Sequence, residues 1–179
     1  ALYEIYELRN EEEASYSYFG TKVSISENGH YLVISAPYID KKGAVYIYEK
    51  EGDFWEFKQK LQPADLPSES AFGTEVAFSD DGYVIAVTNP SNTSRSGSVY
   101  VFVKSDQAGV IYWKQIQKII SSTPSNGDLF GHALSFSSLG NLLAISALGD
   151  DQTATDSGCV YVFQKGNLIW EFQQKIKHR

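Results

Sequence analysis

The sequence predicts an all-β array of three four-stranded antiparallel units preceded by one extra N-terminal strand. Three observations carry this reading. Phe19-Gly20, Phe72-Gly73 and Phe130-Gly131 each open a block with the same succession of short apolar strand, glycine turn, second apolar strand, loop ending in glycine, Val-Tyr-aliphatic-aromatic strand and tryptophan-bearing strand. Ten residues separate each of these phenylalanines from its turn glycine, at Gly29, Gly82 and Gly140. Six residues separate Trp55 from Leu61, Trp113 from Ile119 and Trp170 from Ile176. Self-similarity at a period of this size marks stacked or radial β architectures. The units run over 19–71, 72–129 and 130–179, with 1–18 as surplus strand and linker.

Each element has a physical reason. The first and second strands of a unit are joined by Glu27-Asn28-Gly29, Asp80-Asp81-Gly82 or Ser138-Leu139-Gly140, and glycine accepts the positive φ of such tight turns. The second strands, Tyr31–Ile34, Val84–Val87 and Leu142–Ile145, are nearly continuous apolar runs, as expected of strands covered on both faces. The third strands, beginning at Val45, Val99 and Val160, are β-branched and aromatic, which suits a pleated, packed surface. The fourth strands place Lys and Gln between aromatics, fitting an outer strand that must resist edge pairing. Gly43, Gly97 and Gly158 precede the third strands, and the loop before them lengthens from copy to copy.

Phe19-Gly20 followed by Leu32-Val33-Ile34-Ser35-Ala36-Pro37 and Gly43-Ala44-Val45-Tyr46 resembles the FG-GAP repeat, the blade unit of the integrin α-subunit propeller and of many surface proteins. Copy two departs from it with Asn89-Pro90, and copy three with Ala147-Leu148. The resemblance implies propeller-like blades and leaves activity open, because one fold hosts unrelated functions. Calcium-binding members carry an acid-rich loop between the first two strands, supplying the several oxygens a hard cation needs. Here that connection is only a tight turn. Asp150, Asp151 and Asp156 form a better acidic cluster, read as a solvated loop, and no metal or cofactor is expected.

Closure is the second departure. Propellers generally need four or more blades. Moreover Leu2, Ile5 and Leu8 align with Trp113, Ile116 and Ile119, a fourth copy of the last strand without a sheet of its own. It finishes a blade of a longer propeller, or pairs with the next copy of the protein by β-augmentation or blade stacking, or packs along its own first blade. The second alternative is favoured, and a head-to-tail contact that does not close makes a filament.

The 179 residues, 42% hydrophobic and 14% aromatic, suffice for a packed core. A net charge of −7 argues against nucleic acid and anionic membrane as partners, and no stretch is long enough to insert in a membrane. The chain starts at Ala1 and has no methionine, which suggests removal of a secretion signal and an extracellular or cell-surface location. Asn92-Thr93-Ser94 is an N-glycosylation sequon in a loop. The single cysteine, Cys159, stands where the other copies have Ala44 and Ser98, so a buried inert thiol is expected.

Catalytic constellations are sparse. His132 replaces Thr21 and Thr74 in one copy; His30 and His178 have no visible partner; and neither a phosphate loop nor a nucleophile elbow is present. The tryptophans recur at one position and are expected to pack between units, so an end unit of an open array would expose an apolar face. The reading is therefore a non-enzymatic extracellular protein that assembles with copies of itself through Leu2, Ile5 and Leu8 and its end blades. The alternative is a ligand-binding or adhesive fragment of an integrin-like receptor. Its variable loops, including Tyr38, Asp40, Arg95, Asp150, Asp151 and Asp156, would meet glycans or another surface protein.

Overall fold

A computed structural model of the chain describes residues 16–90, 95–150 and 157–177. The first sheet comprises β1 (Val23–Ile25), β2 (Tyr31–Ala36), β3 (Ala44–Glu51) and β4 (Phe54–Leu61). The second comprises β5 (Val76–Phe78), β6 (Val84–Asn89), β7 (Ser98–Gln107) and β8 (Val110–Ile119), and the third β9 (Phe130–Phe136), β10 (Leu142–Ala147), β11 (Cys159–Lys165) and β12 (Trp170–Lys177). All three are antiparallel meanders with strands in chain order, as propeller blades are built. Among the described residues they pack in succession, with β5 against β1 and β9 against β5, and do not close into a ring. The surplus strand read at Leu2, Ile5 and Leu8 lies outside the described residues, as do Asn92, Asp151 and Asp156.

Every sheet has two chemically different faces. On β3 the side chains alternate, so Val45 and Ile47 point one way and Tyr46 and Tyr48 the other. Val45 and Ile47 pack with Tyr100, Phe102, Phe72 and Trp113 of the second sheet. Val99 and Val101 pack in the same way with Tyr161, Phe163, Phe130 and Trp170 of the third. The aliphatic face of one sheet thus receives the aromatic face of the next, with Phe72 and Phe130 both at 0% exposure. The aromatic rings meet edge to face, as for Phe130 and Tyr161 at 5.2 Å.

A β-bulge interrupts the third-to-fourth strand pairing at the same place in each sheet: Ile47/Tyr48, Val101/Phe102 and Val162/Phe163. Beyond it, a glutamine reaches the next sheet. Gln59 Nε2 donates to the Trp113 carbonyl at 2.9 Å while Trp113 N–H donates to Gln59 Oε1 at 2.7 Å. Gln117 clasps Trp170 through the same two bonds, at 3.0 and 2.7 Å. The corresponding Gln174 is exposed, with no further sheet against it among the described residues.

The expectation that all second strands are covered on both faces holds for β2 and β6 and fails for β10. There Leu142, Ala144 and Ser146 retain solvent contact, because among the described residues no sheet covers the third.

Candidate functional site

Two constellations set this surface apart, and the first is polar. The third-strand tyrosine of each sheet pairs across the ladder with a fourth-strand lysine: Tyr46 with Lys60, Tyr100 with Lys118 and Tyr161 with Lys175. Each ammonium sits over its ring, at 5.9, 5.0 and 4.9 Å from the centroid. An aspartate closes each set: Asp40 at 3.2 Å from Lys60, Asp65 at 2.8 Å from Lys118 and Asp150 at 2.6 Å from Lys175. Tyr100 donates to Asp65 at 3.1 Å and Tyr161 to Asp150 at 3.0 Å, while Ser121 shares a hydrogen bond with the Tyr161 hydroxyl at 2.8 Å. Each lysine lies five residues after its strand's tryptophan, at Trp55, Trp113 and Trp170, whereas the aspartates are drawn from three different loops.

The three sets differ in burial. Asp40 and Asp65 reach solvent, whereas Asp150 is 3% exposed. Asp150 is therefore not part of a solvated acidic loop, because Lys175 and Tyr161 draw it inward. Tyr38 and Arg95 are exposed, and the Arg95 carbonyl accepts the Leu129 N–H at 2.8 Å, tying that loop to the next Phe-Gly turn. His132 is exposed.

These environments shift the ionisation of their members. Burial opposes charge on Lys118 and Lys175 and is the largest single influence, but the hydrogen bonds to Asp65 and Asp150 together with the interactions of Tyr100 and Tyr161 exceed it and raise both ammonium groups. Burial raises the Tyr100 and Tyr161 hydroxyls and takes Tyr31 up to about 12, with Glu49 adding to it. Burial also moves the Cys159 thiol up to about 11, the property of an inert core thiol. All these folded-state values lie above those of the unfolded chain. Their contribution to stability is thus complete below the unfolded values, about 8.5 for Cys and 10 to 10.4 for Tyr and Lys, and is lost as pH rises through the folded ones. Urea midpoints are expected to fall steadily from about pH 8.5 to 12; a midpoint unchanged between pH 8 and pH 11 would show that these groups are not perturbed.

The second constellation is apolar and lies at the array's two ends. On the third sheet Leu142 is 38% and Ile176 50% exposed, and Val160 and Val162 are half-buried between them. Their counterparts Tyr31, Leu61, Val45 and Ile47 are all buried under the second sheet. On the first sheet Val23 and Ile25 are 62% and 55% exposed, whereas their counterparts Val76 and Phe78 are buried. Tyr46 and Tyr48, farther out on that face, are buried already. One end therefore offers an aliphatic face and the other an apolar inner strand.

Among the described residues no helix is long and apolar enough to cross a membrane. No curated protein sequence is detectably similar to the chain. Solved structures similar to it include a "putative 6-phosphogluconolactonase" from Bacteroides fragilis, at 11% identity and TM-score 0.62 over 87% of this chain and 38% of that one. A protein of the same description from Bacteroides uniformis matches at 13% identity and TM-score 0.60, over 87% and 39% of the two chains. Sqt1 from Saccharomyces cerevisiae matches at 13% identity and TM-score 0.60, over 92% of this chain and 36% of its own. The chain thus spans less than two fifths of the length of these proteins, and identities so low establish a common fold of successive sheets and nothing about activity. The sequence profile of the FG-GAP repeat matches residues 5–48, 55–102 and 113–163. The second match opens in β4 and closes in β7, and the third opens in β8 and closes in β11, so each of these straddles two sheets. Carrying three such matches over most of its length, the chain belongs to the FG-GAP repeat family.

Proposed function

We propose that this protein is a non-enzymatic structural and interaction module, working outside the cell or at its surface, that assembles head to tail with copies of itself into a filament or appendage. FG-GAP repeats are typical of extracellular and cell-surface proteins, which supports the compartment. The observation that carries the assembly is the third sheet's aliphatic face. Leu142, Val160, Val162 and Ile176 keep solvent contact on a surface whose two internal equivalents are fully used as sheet-to-sheet interfaces. Burying such a face is favourable by roughly 25 cal/mol per Å² of apolar area, and a contact between unlike ends propagates.

Negative-stain electron microscopy and sedimentation of the purified chain test this. Concentration-dependent, ordered assemblies are expected. Val162→Lys, on the outward face, is expected to keep the melting temperature within a few degrees and to abolish them. A strictly monomeric chain at every concentration overturns the reading and leaves the exposed loop residues Tyr38 and Arg95 as the stronger interaction surface.

A further inference from the structure

The two internal joints share a feature finer than their apolar complementarity: glycines of each sheet nest on small side chains of the sheet before. A Cβ on Gly73 would lie 3.1 Å from Ser35 Cβ and 3.2 Å from a Val45 methyl; one on Gly131 would lie 3.1 Å from a Thr88 methyl and 3.2 Å from a Val99 methyl. The turn glycines repeat the pattern, with a Cβ on Gly82 at 3.3 Å from Ser26 Cβ and one on Gly140 at 3.3 Å from Ser79 Cβ. At these distances a Cβ fits only if its neighbour gives by a few tenths of an ångström, and anything larger pushes the sheets apart. Yet Gly20 and Gly29, which hold the same two positions in the first sheet, have nothing within 4 Å. At the other end Ser146 and Ser137, the counterparts of Ser35 and Ser26, have no sheet against them among the described residues.

We infer that the inner strand of one copy's first sheet docks on the third sheet of another copy, with Gly20 seated on Ser146 and Val160 and Gly29 seated on Ser137. The inference rests on the assembly reading and fixes its register. Val23 and Ile25 then cover the aliphatic face as Val76 and Phe78 do inside the chain. A polar contact falls into place as well. Phe78 N–H donates to Ser24 Oγ at 3.2 Å across the first joint; the second joint has Ala77 where Ser24 stands, and the third sheet regains a hydroxyl at Ser135, opposite the Ile25 N–H. Because Tyr46 and Tyr48 are already buried, the occupant contributes its inner strand rather than its whole face. A second copy is the partner this geometry fits, since its first sheet carries the vacant half of a joint whose other half is vacant on the third.

Cysteine pairing tests the register. In a Cys159→Ser background, which copy two tolerates as Ser98, the double variant Gly29→Cys with Ser137→Cys places two Cβ atoms at a separation close to the 3.3 Å of the internal equivalents, which a small shift brings to the roughly 3.8 Å that separates the Cβ atoms of a disulfide. With oxidised glutathione as electron acceptor, a ladder of covalent oligomers is expected on non-reducing gels. A mixture of the two single variants is expected to stop at dimers. Independently, Gly29→Asn suits the φ of +66° and meets nothing in its own chain, so it is expected to keep the melting temperature and to weaken association at least about tenfold. Assembly of the unsubstituted chain without cross-linking, or full association of Gly29→Asn, overturns the register while leaving the assembly reading intact. Absence of any assembly overturns both.

Discussion

Gly97→Ala is expected to destabilise the chain by about 3–5 kcal/mol, the range of the most damaging single substitutions, and to lower its melting temperature by about 10 °C. Two effects add. The residue has φ +80°, a conformation that costs a non-glycine residue about 1–2 kcal/mol. In addition, an added Cβ would overlap the Phe130 carbonyl oxygen and lie 2.8 Å from the Phe130 nitrogen. Backbone cannot swing aside like a side chain, so the second and third sheets must part, opening the cluster around Phe130 and Tyr161. Gly43 holds the same place against Phe72, with a Cβ at 2.6 Å from its nitrogen, and its substitution should do comparable harm. Two references isolate the cause. Gly52→Ala shares the positive φ with open space around it and should cost only about 1–2 kcal/mol. Gly158→Ala faces only its own loop, at 3.1 Å from the Leu148 carbonyl, and should fall between. Equal losses at Gly52 and Gly97, read by urea denaturation, would mean that backbone conformation alone is responsible.

Asp150→Ala is expected to cost a similar 3–5 kcal/mol, because it strands a shielded ammonium. Lys175 is 13% exposed, 2.6 Å from Asp150, and lies over the Tyr161 ring, where water does not replace the lost carboxylate. Asp65→Ala removes the same partner from Lys118, but there both side chains reach solvent at 37% and 50%, and the loss should stay within about 1 kcal/mol. Two copies of one constellation thus give a paired measurement in which burial is the variable. Lys175→Met added to Asp150→Ala should recover much of the loss, by removing the charge that the first substitution stranded. If the double variant is no more stable than Asp150→Ala, the aspartate acts through its bond to Tyr161 instead.

Strand order and the repeat were legible because they depend on local chemistry. The Phe-Gly openings, the turn glycines and the Val-Tyr strands each carry their own propensity, and their fixed spacing multiplied the signal. The loss of cover on β10 was not legible from Leu142–Ala147 itself, since an apolar run looks the same whether or not a neighbour lies over it. Of the candidate site, the exposed end face followed from counting units, whereas the Tyr–Lys–Asp sets did not. The tyrosines recur in the Val-Tyr strands and the lysines five residues after each tryptophan, but Asp40, Asp65 and Asp150 come from different loops and converge on them only in three dimensions. Asp150 is the clearest lesson: three acids in a long loop suggested a solvated cluster, and one of them proved to be the buried counter-ion of a lysine 25 residues away.

The bulge at Lys58, Ile116 and Gln173 sets the parity of the whole outer strand. In a regular ladder side chains alternate strictly, so one unpaired residue inverts which side every later residue faces. Phe57, before the extra residue, pairs with Tyr48; Gln59, after it, pairs with Ile47 and looks toward the next sheet, while Lys60 turns back to Tyr46 and Leu61 enters the core. The same odd count puts Ile119 under the third sheet and Lys175 over its tyrosine. Insertions between β2 and β3 are absorbed as slack, and the copies differ there freely. A single-residue deletion in the last strand has no such tolerance: it would carry Gln59 away from Trp113, Lys60 away from Tyr46 and Leu61 out of the core in one step. The length of that strand is a phase condition, and it explains why the stretch from tryptophan to the closing aliphatic residue is six in every copy while the loops drift.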